Sequence, residues 1–122
     1  MTEELITVLV VEDEVIIRMD ISSALEAAGF RVLEAGNADE AITILHQSPD
    51  IQVLFTDIDM PGSMDGLKLA AAVRDRWPPI KIIITSGHRH MTDASLPVQG
   101  RFFRKPYQPV HIIKTVRELV LD

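Results

Sequence analysis

Residues Leu54–Gly66 read LFTDIDMPGSMDG. An apolar run ends in Thr56 and Asp57, and two more aspartates, Asp59 and Asp65, follow around a Met-Pro-Gly loop. A carboxylate at the mouth of a buried strand is costly to desolvate unless something pairs with it. Asp, Pro and Gly are also ordinary turn residues, so an acidic loop is the plain alternative. What the other strand ends carry decides between the two.

The run that leads into this stretch, Ile51–Phe55 (IQVLF), has two strong counterparts in Ile6–Val11 (ITVLVV) and Ile80–Thr85 (IKIIIT). Near-continuous apolar runs of this kind are the pattern of a parallel sheet covered on both faces. Arg31–Ala35 (RVLEA) is a weaker strand and Arg101–Arg104 (RFFR) a brief fifth. Between them the spacing predicts helices. Val15–Ala28 carries Ile17, Ile21, Ala24, Leu25 and Ala28 on one face, with Gly29 placed as its C-terminal glycine. Asn37 with Glu40 three residues on opens a second helix that Pro49 must close. Leu67–Trp77 is a third, stopped by Pro78-Pro79, and Val110–Leu121 is the last. Five alternations of strand and helix predict a doubly wound α/β sandwich with helices on both faces. The expected unit is a single domain over residues 1–122, with its core at about 5–121.

Composition narrows the class. Eighteen acidic residues against 12 Lys and Arg give a net charge of -6, which argues against nucleic acid as a partner. There is no cysteine, so thiolate metal sites are excluded. No run approaches the roughly 18 apolar residues of a membrane span, and the acidic N-terminus lacks a signal peptide's core. A soluble, cytoplasmic domain without a membrane partner is expected.

In open α/β sheets ligands bind beyond the carboxyl ends of the strands. Those ends carry Glu12, Asp13 and Glu14 after the first strand, then Asp57, Thr85-Ser86-Gly87 and Lys105-Pro106. Crowded carboxylates raise each other's pKa unless a hard divalent cation neutralises them, and Mg²⁺ (or Mn²⁺) suits such a site. A carboxylate can also accept a phosphoryl group as a nucleophile, which gives Asp57 that role. Lys105, the Ser86 hydroxyl and backbone N–H groups would then meet the charge on the equatorial oxygens. Each signal alone has a plainer reading. Asp13 serves equally as a helix N-cap, Ser86 as a turn residue and Lys105 as a solvated charge. Asp65 reads as the cap of the third helix, and His88 and His90 as solvated for want of a third ligand. Together, in order, they point to phosphoryl chemistry.

VLVVEDE, LFTDIDMPGSMDG, IIITSG and FFRKP together resemble the receiver domain of bacterial two-component response regulators, over Leu5 to Leu121. The resemblance implies strand order 2-1-3-4-5 and a signalling domain, not an enzyme that turns over a substrate. It implies Asp57 as phosphoacceptor, Lys105 as the phosphate-contacting lysine, Ser86 as the switch hydroxyl and Phe102 as the aromatic switch position. The metal site would comprise Glu12 through a water, Asp13, Asp57 and the backbone carbonyl of Asp59. A cis bond between Lys105 and Pro106 is also implied. The implied partners are a sensor histidine kinase or phosphotransfer protein and a downstream protein. Signalling, or a homodimer, would use the face of the fourth helix, fifth strand and last helix. Three departures stand out: Glu12 where Asp is more frequent, the extra charge of Asp59, and Phe102 without a phenol hydroxyl. The last helix ends at Leu121, so a stand-alone receiver, or a receiver cut from a longer protein, is expected. The expected fourth helix falls on Arg89–Gln99, where Met91, Ala94, Leu96 and Val98 share no helical face and Pro97 forbids extension. One or two turns at most are predicted there, capped by Thr92 or Asp93.

An alternative from the enzyme class rests on Asp57-Ile-Asp59, which resembles the Asp-x-Asp of haloacid-dehalogenase phosphatases, with Asp59 as general acid–base. That motif follows the first strand of its family, whereas here an acidic pair precedes it, and no cap domain is available.

Overall fold

A computed structural model describes residues 5–88 and 90–121. Residues 1–4, Arg89 and Asp122, which the expected domain and fourth-helix stretch include, lie outside the described residues. The elements in chain order are β1 (Thr7–Val11), α1 (Val15–Ala27), β2 (Arg31–Ala35), α2 (Ala38–Gln47), β3 (Ile51–Asp57), α3 (Gly66–Arg76), β4 (Lys81–Ser86), β5 (Arg101–Arg104) and α4 (Pro109–Leu121). All strand pairs are parallel, in the order β2-β1-β3-β4-β5.

The uninterrupted apolar runs follow from this order. Alternate residues of a strand face opposite sides of the sheet. Val8 and Val10 of β1, Val53 and Phe55 of β3 and Ile83 of β4 meet Ile21 and Leu25 of α1 and Ile112 and Val116 of α4. Leu9, Leu54, Ile82 and Ile84 meet Ala41 and Leu45 of α2 and Leu69 and Val73 of α3 on the other side. Both faces are covered, so neither set of side chains is polar.

Strand β3 runs to Asp57, two residues beyond its apolar segment, because β4 continues the ladder beside it. Thr56 and Asp57 pair with Ile84 and Thr85, and the Ile58 N–H donates to the Thr85 carbonyl at 2.9 Å. The site carboxylate is therefore built on a strand and not on the loop that follows.

Capping chemistry sets the helix starts. Asn37 Oδ1 accepts from the Glu40 N–H at 2.9 Å, while the Glu40 carboxylate accepts from Gly36, one residue before the cap. Asp65 caps α3 by accepting from the Lys68 N–H at 2.9 Å. Asp13 does not cap α1: Glu14 stands at that position and makes no side-chain cap bond. Gly29 follows α1 with φ +97°, the left-handed conformation a glycine adopts without cost, and Phe30 behind it bonds back to the Leu25 carbonyl.

The stretch expected to hold a fourth helix forms one 3₁₀ turn, Asp93–Ser95. Leu96 and Val98, in the bent chain that follows the turn, both reach the α2/α3 core. Arg74 donates to the Pro97 carbonyl at 3.1 Å, and Asp93 accepts from the Phe102 N–H at 2.8 Å and pairs with Arg101 at 3.2 Å. Side chains moor the segment where a helical stripe is lacking.

Gly66 opens α3 against the end of β3. A Cβ there would fall inside the Asp57 backbone carbonyl and lie 2.9 Å from the Ile58 Cα. Gly66→Ala is therefore expected to lower stability in urea unfolding by about 1–3 kcal/mol, the usual range for overpacking. Gly36→Ala, whose Cβ would meet only the ends of the Arg18 and Glu40 side chains, should cost far less.

Candidate functional site

The order of the strands brings four ends to one rim. Glu12 follows β1, Asp57 ends β3, Ser86 ends β4 and Lys105 follows β5. The crevice lies between β1 and β3, where the chain switches from building one side of the sheet to the other.

Carboxylate oxygens of Glu12, Asp13 and Asp57 all lie within 4.8 Å of one another. Lys105 Nζ sits against two of them, 2.6 Å from Glu12 Oε1 and 3.3 Å from Asp57 Oδ2. Glu12 Oε2 also accepts from the Glu14 N–H at 3.1 Å. Glu12 is 1% exposed and Asp57 2%, so both carboxylates are taken almost wholly out of water.

Burial dominates their acidity. It pushes Glu12 up to about 6 from an ordinary 4.5, although the Lys105 hydrogen bond and the Glu14 N–H pull the other way. It also raises Asp57, against the Lys105 charge and a hydrogen bond from the Asp59 N–H, while the Asp59 charge adds to the rise. Burial alone would lower Lys105, but its hydrogen bond to Glu12 and the charge of Asp57 more than reverse this and its pKa is raised. Tyr107, edge-on to Phe55 at 5.6 Å, has its phenol pushed up by burial and by Glu12 and Asp57.

The site has room for a cation in the chemical sense. Asp13 Oδ1 and Asp57 Oδ1 are buried without a hydrogen-bond partner. One lysine faces three carboxylates, and oxygen donors in this number fit a hard divalent ion. His88 and His90 are exposed, stand outside the acidic cluster, and His90 lies 3.4 Å from Arg104.

Ser86 is fully buried, and its hydroxyl donates to Asp59 Oδ2 at 2.6 Å while accepting from the His88 N–H at 3.1 Å. The Asp59 carboxylate is thus engaged with Ser86 and is not part of the acidic cluster. That leaves it badly engaged for the acid–base work a phosphatase would need. Phe102 is half-buried and packs on the α2/α3 core. The Lys105–Pro106 bond is cis.

Two participants were not legible in the sequence. Arg18 of α1 donates to the Glu12 carbonyl at 2.8 Å and pairs with Glu34 at 3.4 Å, tying α1 to the ends of β1 and β2. An arginine one turn after an acidic cluster was the available signal. The Asp59 side chain had none, because its partner lies 27 residues away.

The family described as response regulator receiver domain matches residues 8–117. The hydrogenase transcriptional regulatory protein HoxA of Cupriavidus necator is 36% identical over 98% of this chain, and the sensor kinase CckA of Brucella abortus 35% over 93%. The chain spans only 25% of the first and 12% of the second. The crystal structure of a response regulator receiver protein from Sinorhizobium medicae superposes with a TM-score of 0.88 at 31% identity, over 97% of this chain and 96% of that one.

Raised carboxyl groups make the metal-free protein less stable as pH rises. The fold favours protonated Glu12, so the penalty for ionising it is absent below about pH 4.5 and complete above about 6. Lys105 stays charged throughout this window and does not change the sign. In chelator, Glu12→Gln should gain on the wild type by about 2 kcal/mol between pH 4 and 7, measured by urea unfolding. A difference that does not move with pH would contradict the assignment.

Proposed function

The chain belongs to the response regulator receiver domain family, and on that premise we propose that it is a phosphorylation-dependent switch whose acceptor is Asp57. The observation that carries this reading is the acid–lysine cluster: three carboxylates within 4.8 Å, with Lys105 against both Glu12 and Asp57 and Asp57 Oδ1 without a partner. The donor is a phosphohistidine on a sensor kinase or phosphotransfer protein. The P–N bond to the donor imidazole breaks as the P–O bond to Asp57 forms.

Each neighbour has a part. Asp13 and Asp57, whose Oδ1 atoms have no partner, would hold Mg²⁺ (or Mn²⁺), together with Glu12 through a water and the backbone carbonyl of Asp59. The bound ion supplies positive charge for the phosphoryl oxygens. Lys105 gives the other cation: it is held by Glu12 in the resting protein and is close enough to Asp57 to follow the phosphoryl group. Burial of Asp57 strengthens these contacts by excluding water. Ser86 donates to a phosphoryl oxygen, and Phe102, moored to Asp93 through its backbone, follows the end of β4.

Partner docking has a physical basis beside the rim. Val15, Ile16 and Met19 of α1 are 53%, 71% and 56% exposed, and Val110 of α4 is 64% exposed. Large apolar side chains grouped on one side of an acidic domain favour a protein surface over nucleic acid. Among the described residues no helix is long and apolar enough to cross a membrane. We take the cytoplasm as the site of action. A downstream protein, or a second copy, would read β5, α4 and the 3₁₀ turn.

Incubation with acetyl phosphate and Mg²⁺ should add one phosphoryl mass to the intact protein. Asp57→Asn, or chelator with the wild type, should abolish the gain. Persistence of the added mass in either arm would assign the chemistry elsewhere. Lys105→Ala should still take up Mg²⁺ in titration calorimetry, because an ammonium is no ligand, yet show none of the amide shifts that phosphorylation produces in the wild type around Ser86.

A further inference from the structure

Resting on the phosphoacceptor reading, we propose that the Asp59 carboxylate is a positioning residue that holds the Ser86 hydroxyl away from the phosphoryl site until Asp57 is modified. The Ser86–Asp59 hydrogen bond is 2.6 Å, at the short, charge-assisted end of the O–H···O⁻ range. A serine hydroxyl has one proton to donate. In the resting protein that proton goes to Asp59.

The two acceptors compete by construction. Asp59 stands two residues after Asp57, near enough for its backbone N–H and its charge to act on the Asp57 carboxylate. Ser86 reaches both neighbourhoods from the end of β4, the strand beside β3. A phosphoryl group on Asp57 brings about two negative charges and three acceptor oxygens next to Asp59. Ser86 can then serve Asp59 or the phosphoryl group, but not both. Repulsion between Asp59 and the new dianion weights the choice toward the phosphoryl oxygen. Two arrangements of one proton thus form a two-state element that phosphorylation biases.

Asp59 therefore sets the threshold of the switch. Removing its side chain takes that acceptor away, and the phosphorylated arrangement forms with one competitor fewer. Asp59→Asn keeps an acceptor oxygen but loses the charge, so its effect falls between wild type and Asp59→Ala. The backbone carbonyl at this position is the same in all three.

Beryllofluoride with Mg²⁺ mimics the acyl phosphate and gives a binding readout in the full chain. Its affinity is measured by calorimetry for wild type, Asp59→Ala, Asp59→Asn, Ser86→Ala and the Asp59→Ala/Ser86→Ala pair. Asp59→Ala is expected to bind about tenfold more tightly, the scale of one charge-assisted hydrogen bond. In the Ser86→Ala background the same substitution should gain only a small part of that, from loss of charge. Equal gains in both backgrounds, or none in either, overturn the latch while leaving Asp57 as acceptor. Absence of beryllofluoride binding by the wild type overturns the acceptor reading and the latch with it. A second readout needs no metal: the His88 amide, which donates to Ser86 Oγ, should shift on Asp59→Ala or Asp59→Asn in chelator. An unmoved His88 resonance in both variants counts against the latch.

Discussion

The rest of the structure is organised around two carboxylates, Glu12 and Asp57, held almost wholly out of water with Lys105 wedged against both. Charge in a low-dielectric interior is tolerated only when paired, and one lysine cannot neutralise three neighbouring acids. Burial wins locally and raises both carboxyl groups. The site therefore rests in a state of incomplete compensation. A hard divalent cation is the addition that would offset the excess negative charge.

Such a site needs a stiff frame, and the scaffold provides it from both sides. Asp57 is fixed by ladder pairing to β4, and the opening glycine of α3 presses its backbone against the Asp57 carbonyl. Glu12 is fixed by its N–H to Ala35 of β2 and by Arg18 on its carbonyl. Lys105 is tied through its N–H to the Ser86 carbonyl, which joins the fourth and fifth strand ends.

At that edge a 3₁₀ turn stands where the resemblance implied a helix, moored by Leu96, Val98 and Asp93. Its few anchors are individually modest: one carboxylate to a β5 amide, one exposed ion pair, one arginine on a carbonyl. A segment with that kind of attachment costs less to rearrange than a three-turn helix with a buried stripe. The apolar side chains left exposed on α1 stand apart from it, close to the rim.

The sequence by itself determined the architecture. Continuous β-branched runs require cover on both faces, and Gly29, Asn37, Asp65 and the Pro78-Pro79 pair punctuate the helices within a residue or two of where they fall. It also brought Glu12, Asp13, Asp57, Ser86 and Lys105 into one candidate site, since the ends of parallel strands share a rim. Tertiary structure alone decided which of these touch. Strand lengths beyond the apolar segment depend on the neighbouring ladder, which extended β3 to Asp57. That Lys105 rests on Glu12, that Arg18 holds a carbonyl and that Asp59 takes the Ser86 proton are contacts between residues up to 93 positions apart. No local pattern encodes the two long-range ones, because hydrogen-bond partners are chosen by distance and direction after the sheet has formed.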